Sequence, residues 1–72
     1  GERVNEAIAI VDSFLNDAVI AGLPFLTILH GKGTGALRQA IHEYLNMQTS
    51  IKTFRNGTLA EGGEGVTVLE LE

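Results

Sequence analysis

The 72 residues contain no cysteine, no tryptophan and a single proline. Without cysteine, neither a disulfide nor a thiolate-bound zinc can hold the fold, and two histidines alone make a structural zinc site a poor reading. No apolar run approaches the ~20 residues that span a bilayer. The amino terminus begins with acidic and polar residues where a signal peptide needs a basic start and an apolar stretch. Positive charge is scarce too. Five Lys and Arg stand against nine Asp and Glu, a formal net charge of -4, which argues against a generally basic nucleic-acid-binding surface. These absences point to a soluble, cytoplasmic chain with no membrane partner, stabilised by an apolar core that a 44% hydrophobic content can supply. A chain this short is a single domain, residues 1–72, and a domain of its size buries only about 60% of its unfolded surface.

The few basic residues are not spread evenly. Residues 1–29 hold Glu2, Arg3, Glu6, Asp12 and Asp17, net -3, and residues 58–72 hold Glu61, Glu64, Glu70 and Glu72, net -4. Between them, residues 30–57 carry Lys32, Arg38, Lys52 and Arg55 against Glu43 alone, net +3. A local anion site on an acidic body is compatible with that pattern.

From Val4 to Ala21, apolar residues recur at steps of three and four (Val4, Ala7, Ile8, Val11, Leu15, Ala18, Val19), the spacing of one helical stripe. Gly22 and Pro24 end that helix. "FLTIL", Phe25 to Leu29, reads as a short strand buried on both faces. A second helix is expected from about Gly35 to Met47, with Leu37, Ala40, Ile41, Tyr44 and Leu45 inward and Arg38, Gln39, His42, Glu43 and Asn46 outward. "IKTFR", Ile51 to Arg55, alternates and runs into Asn56-Gly57, a turn dipeptide. "AEGGEG", Ala60 to Gly65, reads as a flexible loop with solvated Glu61 and Glu64, and "VTVLEL", Val66 to Leu71, as the last strand. Helix, strand, helix, strand, strand implies an α/β (α+β) two-layer sandwich, a mixed sheet with two helices on one face. The first helix starts almost at residue 1, so a strand before it is expected to be missing from this chain.

"HGKGTG", His30 to Gly35, lies between the first strand and the second helix. Strand, glycine loop, helix is an arrangement that binds phosphate: glycines let backbone N–H groups approach an anion, and the helix start adds unpaired donors and partial positive charge. Lys32 offers a mobile cation, Thr34 a hydroxyl that can cap the helix or meet a phosphate oxygen, and Arg38 sits one turn further on. The usual nucleotide fingerprints do not fit. In a Walker loop the lysine directly precedes Ser or Thr, whereas here Lys32 precedes Gly33, and Gly31-x-Gly33-x-Gly35 is not Gly-x-Gly-x-x-Gly. His30 stands where the strand ends, at the carboxyl edge where α/β ligands bind, and its imidazole can act as acid or base on a phosphodiester. At each position a plainer role competes. His30 can be satisfied by a backbone bond, the glycines can merely allow a tight turn, and Lys32 and Arg38 can be solvated surface charges.

"HGKGTGALR" after an apolar strand, preceded by "GERVNEAIAIVDSFLNDAVIAGLP" and followed by "GGEGVTVLEL", resembles the Smr (small MutS-related) domain family. It is most similar to the version at the carboxyl terminus of type-two MutS proteins. The resemblance covers essentially the whole chain. It implies a fold ordered β-α-β-α-β-β, like the carboxyl-terminal domain of translation initiation factor three, with the first strand absent here. It also implies nucleic-acid binding and nicking endonuclease activity, in a parent whose ATPase acts on branched DNA, in repair or recombination control, or on stalled ribosomes. The family's His-Gly-x-Gly signature matches His30, Gly31 and Gly33. Of its other signature, a strand reading Leu-Asp-x-His-Gly or Leu-Asp-Leu-Arg-Gly, only the final glycine is matched, by Gly1.

The expected site is therefore His30 in proton transfer, with Gly31, Lys32, Gly33, Thr34, Gly35, Arg38, Arg3 and Arg55 meeting nucleic acid. No metal ligand set and no cofactor is indicated, and the motifs do not encode whether cleavage needs a divalent cation. The alternative is a non-catalytic module that docks its parent on DNA, RNA or the ribosome, which the missing aspartate favours for this chain. An exposed strand edge would also let the chain self-associate.

Overall fold

A computed structural model describes residues 2–33 and 35–72. Helix α1 spans Glu2–Ala21, strand β1 Phe25–Leu29, helix α2 Ala36–Asn46, strand β2 Ile51–Asn56 and strand β3 Val66–Leu71. The elements fall where the periodicity predicts them, because each stripe supplies one side of a shared core. Val11, Leu15 and Ala18 of α1 meet Ile41 and Leu45 of α2 above Ile28, Leu69 and Leu71 of the sheet. Leu15, Ile41, Leu45 and Leu69 are among the side chains fully removed from water, each worth roughly 1.5–3 kcal/mol of transfer free energy. At the end of α1, Gly22 adopts φ 71, and the N–H groups of Gly22 and Leu23 bond back to the carbonyls of Val19 and Ala18, which closes the helix before Pro24. Tyr44 ties the two helices together by donating its hydroxyl to Asp12.

The expected two-layer α+β architecture is present, with one difference in the sheet. In place of a mixed sheet, the strand order is β1-β3-β2 and both pairings among the described residues are antiparallel. The last strand enters the middle of the sheet, so each neighbour runs against it. β1 also differs from a strand buried on both faces. Leu26 and Ile28 point under the helices, but Phe25 and Leu29 are 58% and 81% exposed, because helices cover only one face. One edge of β1 has no partner strand among the described residues. An apolar groove runs from α1 to β1, lined by Ile10, Phe14, Leu26 and Ile28 and reaching His30 and Leu37.

Asn56-Gly57 does not turn the chain. Asn56 still belongs to β2, Gly57 is not left-handed, and its N–H bonds to the Val66 carbonyl at 2.9 Å. The segment expected to be flexible instead forms two single turns of 3-10 helix, Leu59–Glu61 and Gly63–Gly65. The first is fixed by a capping box in which the Glu61 carboxylate accepts from the Thr58 N–H at 2.8 Å. Among the described residues, no helix is long and apolar enough to cross a membrane.

Two titrations should mark this packing. Burial and the bond to Asp12 push the Tyr44 hydroxyl up to about 12, so the stability tied to its neutral form is complete below pH ~10 and is lost as pH rises toward 12. The His42 imidazole is lowered by burial and by the charges of His30 and Arg38. Its neutral form therefore stabilises the fold fully above pH ~6.5, and that contribution is lost as pH falls. Urea midpoints measured from pH 5 to 12 should show both declines, with Tyr44→Phe removing the alkaline one.

Candidate functional site

His30 follows the last residue of β1, opposite Gly65. Its backbone N–H and that of Gly31 both donate to the Gly65 carbonyl, at 3.0 and 2.9 Å. A side chain at Gly65 would place its Cβ 3.4 Å from Gly31 Cα, so this buried glycine lets the two backbones approach. Gly62-Gly63-x-Gly65 is thus the support of the loop as well as the start of β3.

The His30 ring bridges solvent and core. Nδ1 lies 2.9 Å from the Gly31 carbonyl on the exposed side, while Nε2 lies 2.8 Å from Thr67 Oγ1. A carbonyl only accepts, so Nδ1 carries the proton there and Nε2 accepts from the Thr67 hydroxyl. Thr67 is fully buried on β3, and His42 Nε2 reaches the same oxygen at 2.8 Å. The His42 ring packs edge-on to Phe54 with centroids 5.0 Å apart, and 6.4 Å from the His30 ring. His42, expected on the outer face, is thus half-buried in the site, because α2 rolls this border position over the end of the sheet. Thr67 was not legible as a site residue. The available signal was its parity: a hydroxyl on the inward side of "VTVLEL", in step with Leu69 and Leu71.

The loop donates less than its glycines suggest. Gly31 N–H is taken by Gly65 and Gly35 N–H by the Lys32 carbonyl at 3.0 Å. Among the described residues, the N–H groups of Lys32 and Gly33 meet no acceptor. Thr34 lies outside the described residues. The cap position of α2 is Gly35, left-handed at φ 85. Lys32 is exposed, and Arg38 is half-buried with its guanidinium close over Gly35, so both flank the helix start. Arg3 is exposed on the first turn of α1, one turn before Ala7, which lines the groove that reaches His30.

Arg55 is not brought to this cluster. Its neighbour Phe54 packs toward the helices, so alternation turns Arg55 to the opposite face. There it forms a two-pronged ion pair with Glu61 at 2.7 and 3.1 Å. Glu61, expected to be solvated, is held down to about 2 by that guanidinium and by the Thr58 N–H. Among the described residues, no three His, Cys, Asp or Glu side chains come together as a metal site.

A family model described as the Smr domain matches residues 1–72. Proteins named Endonuclease MutS2 from Bacillus thuringiensis and Bacillus anthracis are 53% identical over all 72 residues. The Smr domain of Thermus thermophilus MutS2 superposes with a TM-score of 0.93 at 49% identity, covering 96% of this chain and 86% of that one. YdaL, a stand-alone small MutS-related protein from Escherichia coli, shares the fold, with a TM-score of 0.80 at 24% identity over 96% of this chain and 57% of its own. The chain belongs to the Smr domain family. It spans 9% of the length of the curated relatives it matches.

Proposed function

We propose that this chain is the nucleic-acid-binding nuclease module of a longer, cytoplasmic MutS-type protein, and that it hydrolyses phosphodiester bonds at the His30 loop. The observation that carries the reading is the orientation of His30: one ring nitrogen faces solvent, while the other is anchored on a buried hydroxyl. A held imidazole whose outer nitrogen meets only an exposed backbone carbonyl can exchange a proton with a bound substrate that takes the carbonyl's place. Family membership and the endonuclease name of the 53%-identical relatives support it. In the reaction, a water oxygen forms the new bond to phosphorus as the bond to one sugar oxygen breaks. In the tautomer that carries its proton on Nε2, His30 takes the water's proton at Nδ1 and returns it to the departing oxygen. Lys32, Arg38 and the N–H groups of Lys32 and Gly33 hold the phosphate, with Arg3 at the margin.

One observation favours a docking module without chemistry: among the described residues, no carboxylate bonds the His30 ring. Chemical-shift mapping with a short branched DNA and a matched single-stranded RNA tests the shared step. Shifts centred on His30 to Arg38 are expected, the tighter ligand indicating the natural target. No shifts with either would remove the loop from both readings. Lys32→Ala should weaken binding and lower the slope of log K against log salt by about 1.

For the 72-residue chain by itself, the exposed β1 edge and the apolar Phe25 and Leu29 beside it point to a second copy as partner. Sedimentation should show concentration-dependent association, and a stable monomer at high concentration would count against it.

A further inference from the structure

The buried hydroxyl of Thr67 connects the candidate catalytic histidine to a second one. Thr67 Oγ1 stands 2.8 Å from Nε2 of His30 and 2.8 Å from Nε2 of His42, in a residue with 0% of its surface exposed. A hydroxyl has one proton to give, so the two imidazoles cannot both accept from it. If both donate, the hydroxyl proton is left without a partner in a place water does not reach, which is costly. The neutral rings must therefore be opposite tautomers.

In one arrangement, His42 Nε2–H donates to Thr67, Thr67 donates to His30 Nε2, and His30 keeps its proton on Nδ1, where it meets the Gly31 carbonyl at 2.9 Å. In the other, the two bonds to Thr67 reverse and the bond to the Gly31 carbonyl, which can only accept, is given up. His30 Nε2–H donates to Thr67, Thr67 donates to His42 Nε2, and His30 turns a bare lone pair outward at Nδ1. Passing from the first to the second carries the Nε2 proton from His42 to His30 through the Thr67 hydroxyl, releases the proton of His30 Nδ1 and places one on His42 Nδ1, so His30 exchanges its acid form for its base form.

We infer that His42 and Thr67 form a proton-sharing relay with His30, in which His42 is a positioning residue that sets, through the Thr67 hydroxyl, what His30 presents at its outward nitrogen. The groups facing His42 are His30, Thr67 of β3, Arg38 one turn earlier on α2 and the Phe54 ring of β2. None is a carboxylate. Burial and the neighbouring positive charges disfavour its charged form, so His42 remains the neutral partner. The relay takes the place that a carboxylate usually fills behind a catalytic histidine.

The catalytic consequence rests on the hydrolytic reading above; the tautomer linkage does not. When His30 Nδ1 accepts a proton from the attacking water, its Nε2–H already donates to Thr67, and the Thr67 proton is directed at neutral His42. When Nδ1 releases that proton to the departing oxygen, the starting state returns. No proton is gained or lost along the relay.

The experiment reads the ring nitrogens of the chain labelled with 15N-histidine by long-range 1H–15N correlation, from about pH 5 to pH 9. Opposite tautomers are expected at the high-pH end. On acidification His42, whose charged form burial disfavours, should be the last of the pair to take up a proton. Thr67→Val should free each ring to titrate alone, and Thr67→Ser should restore the linkage. Like tautomers in the wild type, or a Thr67→Val protein that titrates as the wild type does, would overturn the relay. The wild-type spectrum decides even where the valine variant does not fold. In a cleavage assay, His42→Gln should keep binding, slow the reaction roughly 10-fold and move the pH profile, as part of the 10²–10⁴ that acid–base catalysis supplies. An unmoved profile would remove the positioning role. A wild type that cleaves nothing would sink the nuclease reading and leave the tautomer result standing.

Discussion

His30→Ala is expected to lower phosphodiester cleavage roughly 10²- to 10⁴-fold while leaving nucleic-acid affinity close to that of the wild type. The split follows from where the groups sit. The phosphate would be held by Lys32, Arg38 and two loop N–H groups, none of which depends on the imidazole. The backbone N–H of residue 30 still finds the Gly65 carbonyl whatever its side chain. The fold should survive, because the Thr67 hydroxyl keeps its bond to His42 when His30 is lost; the missing bond costs about 1 kcal/mol. Single-turnover cleavage rates beside binding isotherms separate the two effects. Unchanged cleavage would show that His30 carries no proton in the reaction. Loss of cleavage and binding in equal measure would make it a contact, not a proton carrier.

The sequence exposed the elements better than their arrangement. α1, β1, α2 and β3 were legible because each holds a periodic apolar stripe that must face something, and Leu15, Ile41 and Leu45 are buried as those stripes require. The position of β3 between β1 and β2 is set by long-range pairing, such as Leu26 with Leu69 and Phe54 with Leu69, and no local pattern encodes it. Asn56-Gly57 misled for a related reason: the dipeptide favours a tight hairpin, but the capping box of Thr58 and Glu61 takes the following residues into a different turn.

At the site, His30, Lys32 and Arg38 were legible because a glycine loop between a strand and a helix is itself a local pattern. Thr67 and His42 were not. They reach His30 across 37 and 12 positions of sequence, and each looked ordinary in its own element, a β-branched strand residue and a polar residue at the border of a helix. Arg55 was misplaced because charge alone does not tell on which face of a strand a residue stands.

Gly62→Ala should cost about 2–3 kcal/mol, a large share of what a domain this small has. Gly62 adopts φ +119, and a Cβ there would lie 2.6 Å from Cγ2 of Val66. Val66 is a buried, β-branched residue that begins β3, so its methyl cannot easily swing aside. Relief has to come from the backbone of Gly63 to Gly65, the segment whose final carbonyl accepts the N–H groups of His30 and Gly31. The damage should therefore reach the site before the core. In Gly62→Ala, amide exchange at residues 30 and 31 should quicken more than at Leu69, and the urea midpoint should fall. By contrast, no atom lies within 4 Å of a Cβ built on Gly63. Its left-handed φ of +61 still opposes alanine, so Gly63→Ala should cost only the conformational part, about 1 kcal/mol. Gly62→Ala no worse than Gly63→Ala would mean that Val66 yields, and that the second glycine segment does not fix the position of the histidine loop.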